Sequence, residues 1–424
     1  MKFFTKNSFS KNVAILLTGT IIAQAIPLAI SPVLTRLFSP EEFGLFAVYF
    51  GISQIISVFI TGRYEMAIIL PEKDEDAINI VAVSMIITLF ISIISLLIIF
   101  PLRYVIATVL NSPDVANYLL LIPVTVFAIG IYTIFNLWLN RKGHYKNITT
   151  GKITRSAFSS LFSIGFGMTL FKTGGLIIAD TIGQLIAGFF VLIKSLKSDR
   201  DKVSKVSKAG MMKQAKRYVH FPKFNVISGL FEKASGQLPV ILLASFFGTA
   251  ISGLFSLSQR IIAAPGSIVG ASVGDVFRQQ VSIEYQKNGD CRETFLDLLK
   301  LLLLIGIIPF SVLAVFAPFL FSFIFGPEWR IAGEYAQIMI LMFFLSFVVS
   351  PLSNMFIIAE KQKIDLVIQI ILFIFVSVSF IVGYNIFKHP KAAILFYSVT
   401  YCVKYCIELY LSFQFSRGIK KSLS

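Results

Sequence analysis

The sequence contains few of the residue types from which catalytic and metal sites are built. Its 424 residues include three histidines and three cysteines. The cysteines form neither a CxxC motif nor the even set that a disulfide framework requires: Cys291, Cys402 and Cys406. We therefore predict no catalytic residues, no metal site and no cofactor.

Nucleotide-binding motifs are also missing. No G-x-x-x-x-G-K-[ST] segment occurs, which argues against ATP hydrolysis through a P-loop, and no H-E-x-x-H occurs. Asp74-Glu-Asp76 resembles the metal motif of sugar-nucleotide enzymes. We interpret it as a solvated acidic turn between two apolar runs.

Charged residues make up only 14% of the chain, whereas 56% are hydrophobic. Apolar runs long enough to cross the ~30 Å hydrocarbon core recur from end to end. Because lipid offers the backbone no hydrogen-bond partners, and these runs do not alternate as barrel strands do, they are expected to be helices. The predicted spans are 13–35, 43–62, 79–100, 115–139, 149–171, 174–194, 219–244, 250–274, 297–325, 333–357, 364–387 and 391–415.

The net charge is +16, and the positions of the Lys and Arg residues along the chain indicate the membrane topology. Of the 38 Lys and Arg residues, 29 are assigned to one side of the predicted spans, with the adjoining span ends included, 6 to the other side and 3 to the interior of spans. Loops rich in Lys and Arg stay in the cytoplasm, so both termini are predicted to be cytoplasmic. The same distribution argues against nucleic acid as a partner.

A polar, basic segment divides the chain into halves of six spans each. We predict a first bundle over 1–195, a linker over 196–217 and a second bundle over 218–424. Short segments recur in the same order in both halves: Pro32-Val-Leu followed by Gly44-Leu-Phe, and Pro239-Val-Ile followed by Gly253-Leu-Phe. Six spans per half give both halves the same orientation, which predicts a parallel repeat.

Several ionisable residues lie within or near the spans, where charge is costly unless it faces a cavity or a partner. Glu232 and Lys233 are adjacent, so their side chains point about 100° apart on a helix and cannot share one packed face. Lys404 and Glu408 are spaced i,i+4 and are expected to form a structural pair. The remaining candidates are Arg36, Arg63, Glu65, Asp180, Arg260 and Asp275.

Three segments resemble a known family. They are Pro32-Val-Leu-Thr-Arg-Leu-Phe-Ser-Pro-Glu-Glu-Phe-Gly-Leu-Phe, Gly62-Arg-Tyr-Glu-Met-Ala-Ile-Ile-Leu-Pro and Phe325-Gly-Pro-Glu-Trp. They are similar to segments of the Wzx-type O-antigen and capsule repeat-unit flippases, in the multidrug/oligosaccharidyl-lipid/polysaccharide exporter superfamily. The resemblance implies an all-helical membrane protein with two six-helix bundles around a central cavity.

The resemblance also implies a function. The cargo would be an undecaprenyl-pyrophosphate-linked oligosaccharide, moved between the leaflets of the bacterial inner membrane, with a polysaccharide polymerase and a chain-length regulator as partners. The first two helices of each half line the cavity in that family, and cations there matter. These helices hold four candidates for binding the pyrophosphate and sugar: Arg36, Arg63, Lys233 and Arg260. Coupling to protons or sodium would fall to Glu65, Glu232 or Asp275.

Two alternatives remain open. A drug/cation antiporter of the same superfamily would favour an acidic cavity, whereas the charges inside these spans are basic or balanced. A membrane polysaccharide polymerase or glycosyltransferase usually presents a large external loop, and every external connection predicted here is short.

Overall fold

The computed structural model describes the backbone over 6–169 and 173–418, and side chains from residue 14 onward with gaps between 198 and 288. Every regular element in these ranges is a helix. Twelve of these have 18 or more residues: α1 Lys6–Leu37, α2 Pro40–Ser57, α3 Asp74–Val109, α4 Ile122–Arg141, α5 Tyr145–Gly167, α6 Gly175–Ser198, α7 Val226–Phe247, α8 Thr249–Asn288, α9 Arg292–Phe325, α10 Arg330–Leu352, α11 Gln362–Val382 and α12 Pro390–Ser416.

Nine of the described helical segments are long and apolar enough to cross a membrane. Within the residues that the structure describes, the long helices α2, α5 and α8 are not among these nine; α2 and α5 contain charged residues such as Glu42 and Lys152. Each predicted span overlaps one of the twelve long helices. The all-helical class is therefore confirmed, while the number of spans stays a prediction.

Local sequence signals set several helix ends. Ser39 caps α2: its hydroxyl accepts a hydrogen bond from the Glu42 N–H, and the Glu42 carboxylate accepts one from the Ser39 N–H at 2.9 Å. Pro40 follows at the first helical position, where its fixed φ and missing N–H cost nothing. At the other end, α2 stops at Ser57, earlier than the predicted limit of 62, because the N–H groups of the next three residues bond to carbonyls three residues back instead of four. A left-handed turn follows at Gly62 and Arg63.

The described residues cluster into two compact units, Met1–Gly253 and Leu254–Ser424. In the first unit α5 packs on α1 and α6, α4 packs on α3 and α6, and α7 packs on α2. Its largest fully buried side chains include Tyr49 and Trp138. Within the first unit α7 packs on α2, and the predicted bundle boundaries at 195 and 218 stay predictions.

The repeated glycines Gly44 and Gly253 face each other in the first unit. A methyl group at Gly44 would overlap the carbonyl oxygen of Thr249, and one at Gly253 would overlap that of Pro40. Pro40 and Thr249 are the first residues of α2 and α8, so each glycine lies four residues into its helix. The two helix starts therefore cross reciprocally, each glycine lying against the first residue of the other helix.

The segment between α6 and α7 is structured rather than extended. It contains the helix Arg200–Val203, a helix over Lys208–Arg217 that we call the linker helix, and the π-helical turn Phe221–Asn225. Ser207 caps the linker helix by accepting a hydrogen bond from the Gly210 N–H at 3.0 Å. The predicted linker therefore contains helices, which its polar composition did not indicate.

In the second unit α10 packs on α9 and α12, and α12 also packs on α11. Trp329, in the short 3₁₀-helix Pro327–Trp329, is fully buried there with Tyr335. The helix α8 continues to Asn288, well beyond the predicted end of its span at 274. Polar residues from 275 onward ended the predicted apolar run, but they do not interrupt the helical backbone.

Candidate functional site

A cavity of about 250 Å³ lies within the first unit. It is bounded by α2, the connection after α2, and the helices α4, α5, α6 and α7. Its lining residues are Gln54, Ser57, Val58, Ile60, Thr61, Arg63, Glu65, Ile129, Tyr132, Thr133, Arg155, Gln184 and Lys233.

Three cations line this cavity: Arg63, Arg155 and Lys233. They come from separate elements, namely the connection after α2, α5 and α7. Among the described residues, none of the three forms an ion pair with a carboxylate. Because Glu65 is the one acidic residue in the described lining, the cavity carries an excess of positive charge and suits an anion.

The backbone at Arg63 is unusual. Its φ of 61° and ψ of 9° place it in the left-handed region, directly after Gly62, which has a φ of 60°. A non-glycine residue in this region costs on the order of 1–2 kcal/mol, and such outliers are concentrated at functional sites. The turn brings Thr61, Arg63 and Glu65 to the same cavity wall. The Arg63 Nε is also buried without a hydrogen-bond partner among the described residues.

Glu65 lies in the 3₁₀-helix Tyr64–Ala67, between α2 and α3, and is 4% exposed. Its carboxylate accepts a short hydrogen bond from the Thr61 hydroxyl. Burial raises the pKa of Glu65, and it outweighs the Thr61 hydrogen bond and the positive charge of Arg63, which both act in the opposite direction. The group is therefore suited to binding and releasing a proton.

The amide of Gln184 is the most deeply buried polar group in the lining. Gln184 is 1% exposed, and neither its Nε2 nor its Oε1 has a hydrogen-bond partner among the described residues. An amide left unpaired in this way costs about 1–3 kcal/mol, so it is suited to a ligand with hydroxyl or oxyanion groups. Tyr132 and Thr133 add hydroxyl groups on the adjacent wall.

The structure brings together three of the predicted site residues, namely Arg63, Glu65 and Lys233. Glu232 is exposed, as expected from an adjacent residue that points away from Lys233. Arg36 is exposed on α1 and does not line the cavity.

Two further predicted residues lie on α8. Arg260 is half-buried in the second unit. The side chain of Asp275 lies outside the described part of the structure. Their proposed roles stay predictions.

Arg155 is a cavity residue that sequence reasoning missed. The charge count places it with the basic residues of a cytoplasmic connection, although it falls inside the predicted span 149–171. A charge within a predicted span was the signal that could have identified it.

Lys404 and Glu408 form the pair that their spacing predicts. The Lys404 Nζ lies 2.8 Å from the Glu408 carboxylate, and both side chains are largely buried on α12. The ammonium also lies over the Tyr405 ring, 4.3 Å from its centre. Both charges are thus compensated within one helix.

No group of three or more His, Cys, Asp and Glu residues in the described part of the chain is arranged to hold a metal ion.

Several solved structures share this fold. The chain has a TM-score of 0.73 with the lipid II flippase MurJ in an inward closed conformation, at 14% identity over 95% of this chain and 90% of that chain. An inward-facing multidrug resistance MATE family transporter of the MOP superfamily gives a TM-score of 0.62, at 14% identity over 94% of this chain and 93% of that one. A MOP superfamily transporter from Pyrococcus furiosus, whose binding pocket has reverse polarity, gives 0.61 at 12% identity, covering 95% and 94%.

These proteins are transporters or flippases rather than catalytic enzymes, and at such low identity the likeness shows the fold alone. Among curated protein sequences, none matches this chain significantly. The shared fold and the nine long apolar helices of the described residues make the chain a multi-pass membrane protein. Since residues 33–334 match the family described as "Polysaccharide biosynthesis protein", which is more than half of the chain, this protein belongs to that family.

Proposed function

We propose that this protein is a flippase for an undecaprenyl-pyrophosphate-linked oligosaccharide. It would move the repeat unit from the cytoplasmic to the outer leaflet of the bacterial inner membrane for surface polysaccharide synthesis. The observation that carries the proposal is the cavity of the first unit, whose described lining holds three cations and one carboxylate. Membership of the polysaccharide biosynthesis family and the fold shared with a lipid II flippase support it.

The pyrophosphate is the part of such a cargo that the cations suit best. Guanidinium groups form paired hydrogen bonds to phosphate oxygens, so Arg63 and Arg155 would bind it, with Lys233 as a third positive charge. The sugar would take the polar wall formed by Gln184, Tyr132 and Thr133. The prenyl tail would stay in the lipid.

The cavity volume constrains the mechanism. A volume of about 250 Å³ lies below the roughly 300–1,000 Å³ typical of sites for drug-sized ligands. It suits a pyrophosphate with one sugar but not a complete oligosaccharide. The cargo would therefore require a more open conformation, as alternating access provides.

Glu65 is the best placed of the three coupling candidates, because it is buried in the lining beside Arg63. Protonation of Glu65 would leave Arg63 without a neighbouring negative charge and so strengthen its attraction for the pyrophosphate. Release of the proton would weaken that attraction. The proposal also includes coupling to sodium instead of protons at Glu65. Glu232 and Asp275 are the two other candidates for ion coupling.

The test is complementation of a gene deletion in the native host. Lipid-linked oligosaccharide in each leaflet and surface polysaccharide would be measured together. Deletion is expected to abolish surface polymer while complete repeat units accumulate on the cytoplasmic leaflet. Arg63→Ala, Arg155→Ala and Lys233→Ala are each expected to fail to restore the polymer at normal protein level. Lys363→Ala removes an exposed cation at the start of α11 and should complement fully.

Other outcomes identify the alternatives. Complete repeat units that reach the outer leaflet but remain unpolymerised would indicate a polymerase. Normal polysaccharide with new drug sensitivity would indicate a drug/cation antiporter. Arg36→Ala and Arg260→Ala test the remaining predicted cations, and full activity of either variant would remove that residue from the site.

A further inference from the structure

The Arg63 side chain lies against a residue that has no side chain. Gly229 is buried on α7, and a methyl group at that position would overlap the Nη2 and Cζ atoms of Arg63 and come within 3.2 Å of its Nε. These are the far atoms of a flexible side chain, so a larger residue at 229 would displace the guanidinium rather than the backbone. The glycine thus determines where the cation can lie.

Other contacts fix the backbone beside Arg63. The Tyr64 hydroxyl donates a hydrogen bond to the Ala215 carbonyl in the linker helix at 2.9 Å. The Asn225 amide, in the turn before α7, donates to the Met66 sulfur at 3.6 Å. The segment that carries Arg63 is therefore held from the side of the linker.

The linker helix is itself docked on the start of α3. Gln214 donates a hydrogen bond to the Asp76 carboxylate at 2.5 Å, and the Ser207 N–H donates to the Asn79 side chain at 3.0 Å. Gly210 lies so close to Asn79 that an added methyl group would overlap its amide. Gln214 is fully buried at this contact. The linker position is thus determined by specific contacts rather than by chain connectivity alone.

We propose that Gly229 and the docked linker helix together position Arg63 in the cavity. No ion pair holds the guanidinium among the described residues, and its Nε has no hydrogen-bond partner there, so packing against Gly229 does the positioning. Gly229 is a positioning residue that acts through Arg63. The inference rests on the proposed function, since it assigns Gly229 a role only where Arg63 binds the phosphate groups of the cargo.

The experiment measures binding of inorganic pyrophosphate to the purified full-length protein in detergent by calorimetry. Arg63→Ala is expected to weaken binding about tenfold, as for loss of a hydrogen bond to a charged group. Gly229→Ala should weaken it to a similar extent while the thermal unfolding midpoint stays unchanged. Gly236→Ala is the matched control, because a methyl group on that residue of the same helix would meet nothing within 4 Å.

The double variant gives the decisive readout. If Gly229 acts through Arg63, then Gly229→Ala has no further effect in the Arg63→Ala background. A purely structural effect of the methyl group would instead add to that of Arg63→Ala. Tyr64→Phe removes the hydrogen bond to Ala215 with little change in packing, and it should weaken pyrophosphate binding in the same direction by a smaller factor. If Gly229→Ala does not fold, Tyr64→Phe is the variant that tests the proposal.

The outcomes separate this inference from the proposed function. Suppose that Arg63→Ala weakens pyrophosphate binding while Gly229→Ala and Tyr64→Phe bind it with wild-type affinity. That result would overturn the positioning role of Gly229 and leave the flippase proposal standing. An additive loss of pyrophosphate affinity in the double variant would also overturn the positioning role. Absence of pyrophosphate binding by the wild-type protein would overturn both, because no phosphate contact would then exist for Gly229 to position.

Discussion

Each of the three cavity cations is placed by a different local feature. Arg63 depends on a left-handed turn, Arg155 on its position within α5, and Lys233 on its position on α7, about 100° around the helix from the exposed Glu232. Placing three positive charges around one cavity is unfavourable by itself, since like charges repel. Such an arrangement is expected where the protein binds an anion that compensates them.

We expect Glu65 to make the stability of the folded protein depend on pH. Its raised pKa means that the folded state binds the proton more tightly than the unfolded chain does. The stability it contributes is present at low pH and is lost as pH rises through the raised pKa. Glu65→Gln resembles the protonated form, so this variant should lose the part of the stability decrease with rising pH that Glu65 causes. Thermal unfolding in detergent between about pH 4 and 8 measures it.

The matched control for that measurement is Glu41→Gln, at an exposed position in the first turn of α2. It should leave the wild-type pH profile unchanged. An identical pH profile for wild type and Glu65→Gln would contradict the assignment.

Cys291 is expected to be unreactive in the folded protein. It is 1% exposed, and burial, with smaller contributions from Glu284 and Asp290, raises the pKa of its thiol to about 12. At about pH 8 the reactive thiolate is then on the order of one in ten thousand molecules. Mass spectrometry after N-ethylmaleimide treatment should find this cysteine unlabelled in the native protein and labelled after denaturation. Rapid native labelling would show that the start of α9 opens.

Close packing between helices depends on glycines that meet backbone rather than side chains. Gly44 and Gly253 each lie against the first residue of the opposite helix, and a backbone carbonyl cannot rotate away as a side chain does. This accounts for the glycine at the start of each Gly-Leu-Phe segment. The two glycines are a packing requirement at the crossing of α2 and α8.

Gly44→Ala is accordingly expected to destabilise the protein by roughly 1–3 kcal/mol, because the added methyl group overpacks the crossing. The unfolding midpoint and the yield of folded protein in detergent should both fall. Gly165→Ala provides the comparison, since a methyl group at that position on α5 would meet nothing within 4 Å. Equal stability of the two variants would show that the crossing tolerates a larger residue.

The whole molecule has a strongly asymmetric distribution of Lys and Arg, with 29 of 38 predicted on one side of the membrane. Because loops rich in these residues resist translocation, both termini should lie in the cytoplasm. A green fluorescent protein fused after Ser424 is expected to fluoresce, whereas alkaline phosphatase fused at the same site should be inactive. The opposite pattern would require an odd number of spans or an inverted orientation.

The class of molecule and the approximate position of every long helix could be predicted from the sequence, because long apolar runs leave the backbone no alternative to helices. The family could be predicted from three short segments that resemble its members. The sequence also named Arg63, Glu65 and Lys233 as candidates, since a charge in or next to a membrane span must face a cavity or a partner. Which of these charges line one cavity could be read only from the folded structure, because that depends on contacts between residues far apart in the chain. The structure added Arg155 and Gln184 to the site and showed that Gly229 and the linker helix contact the Arg63 segment.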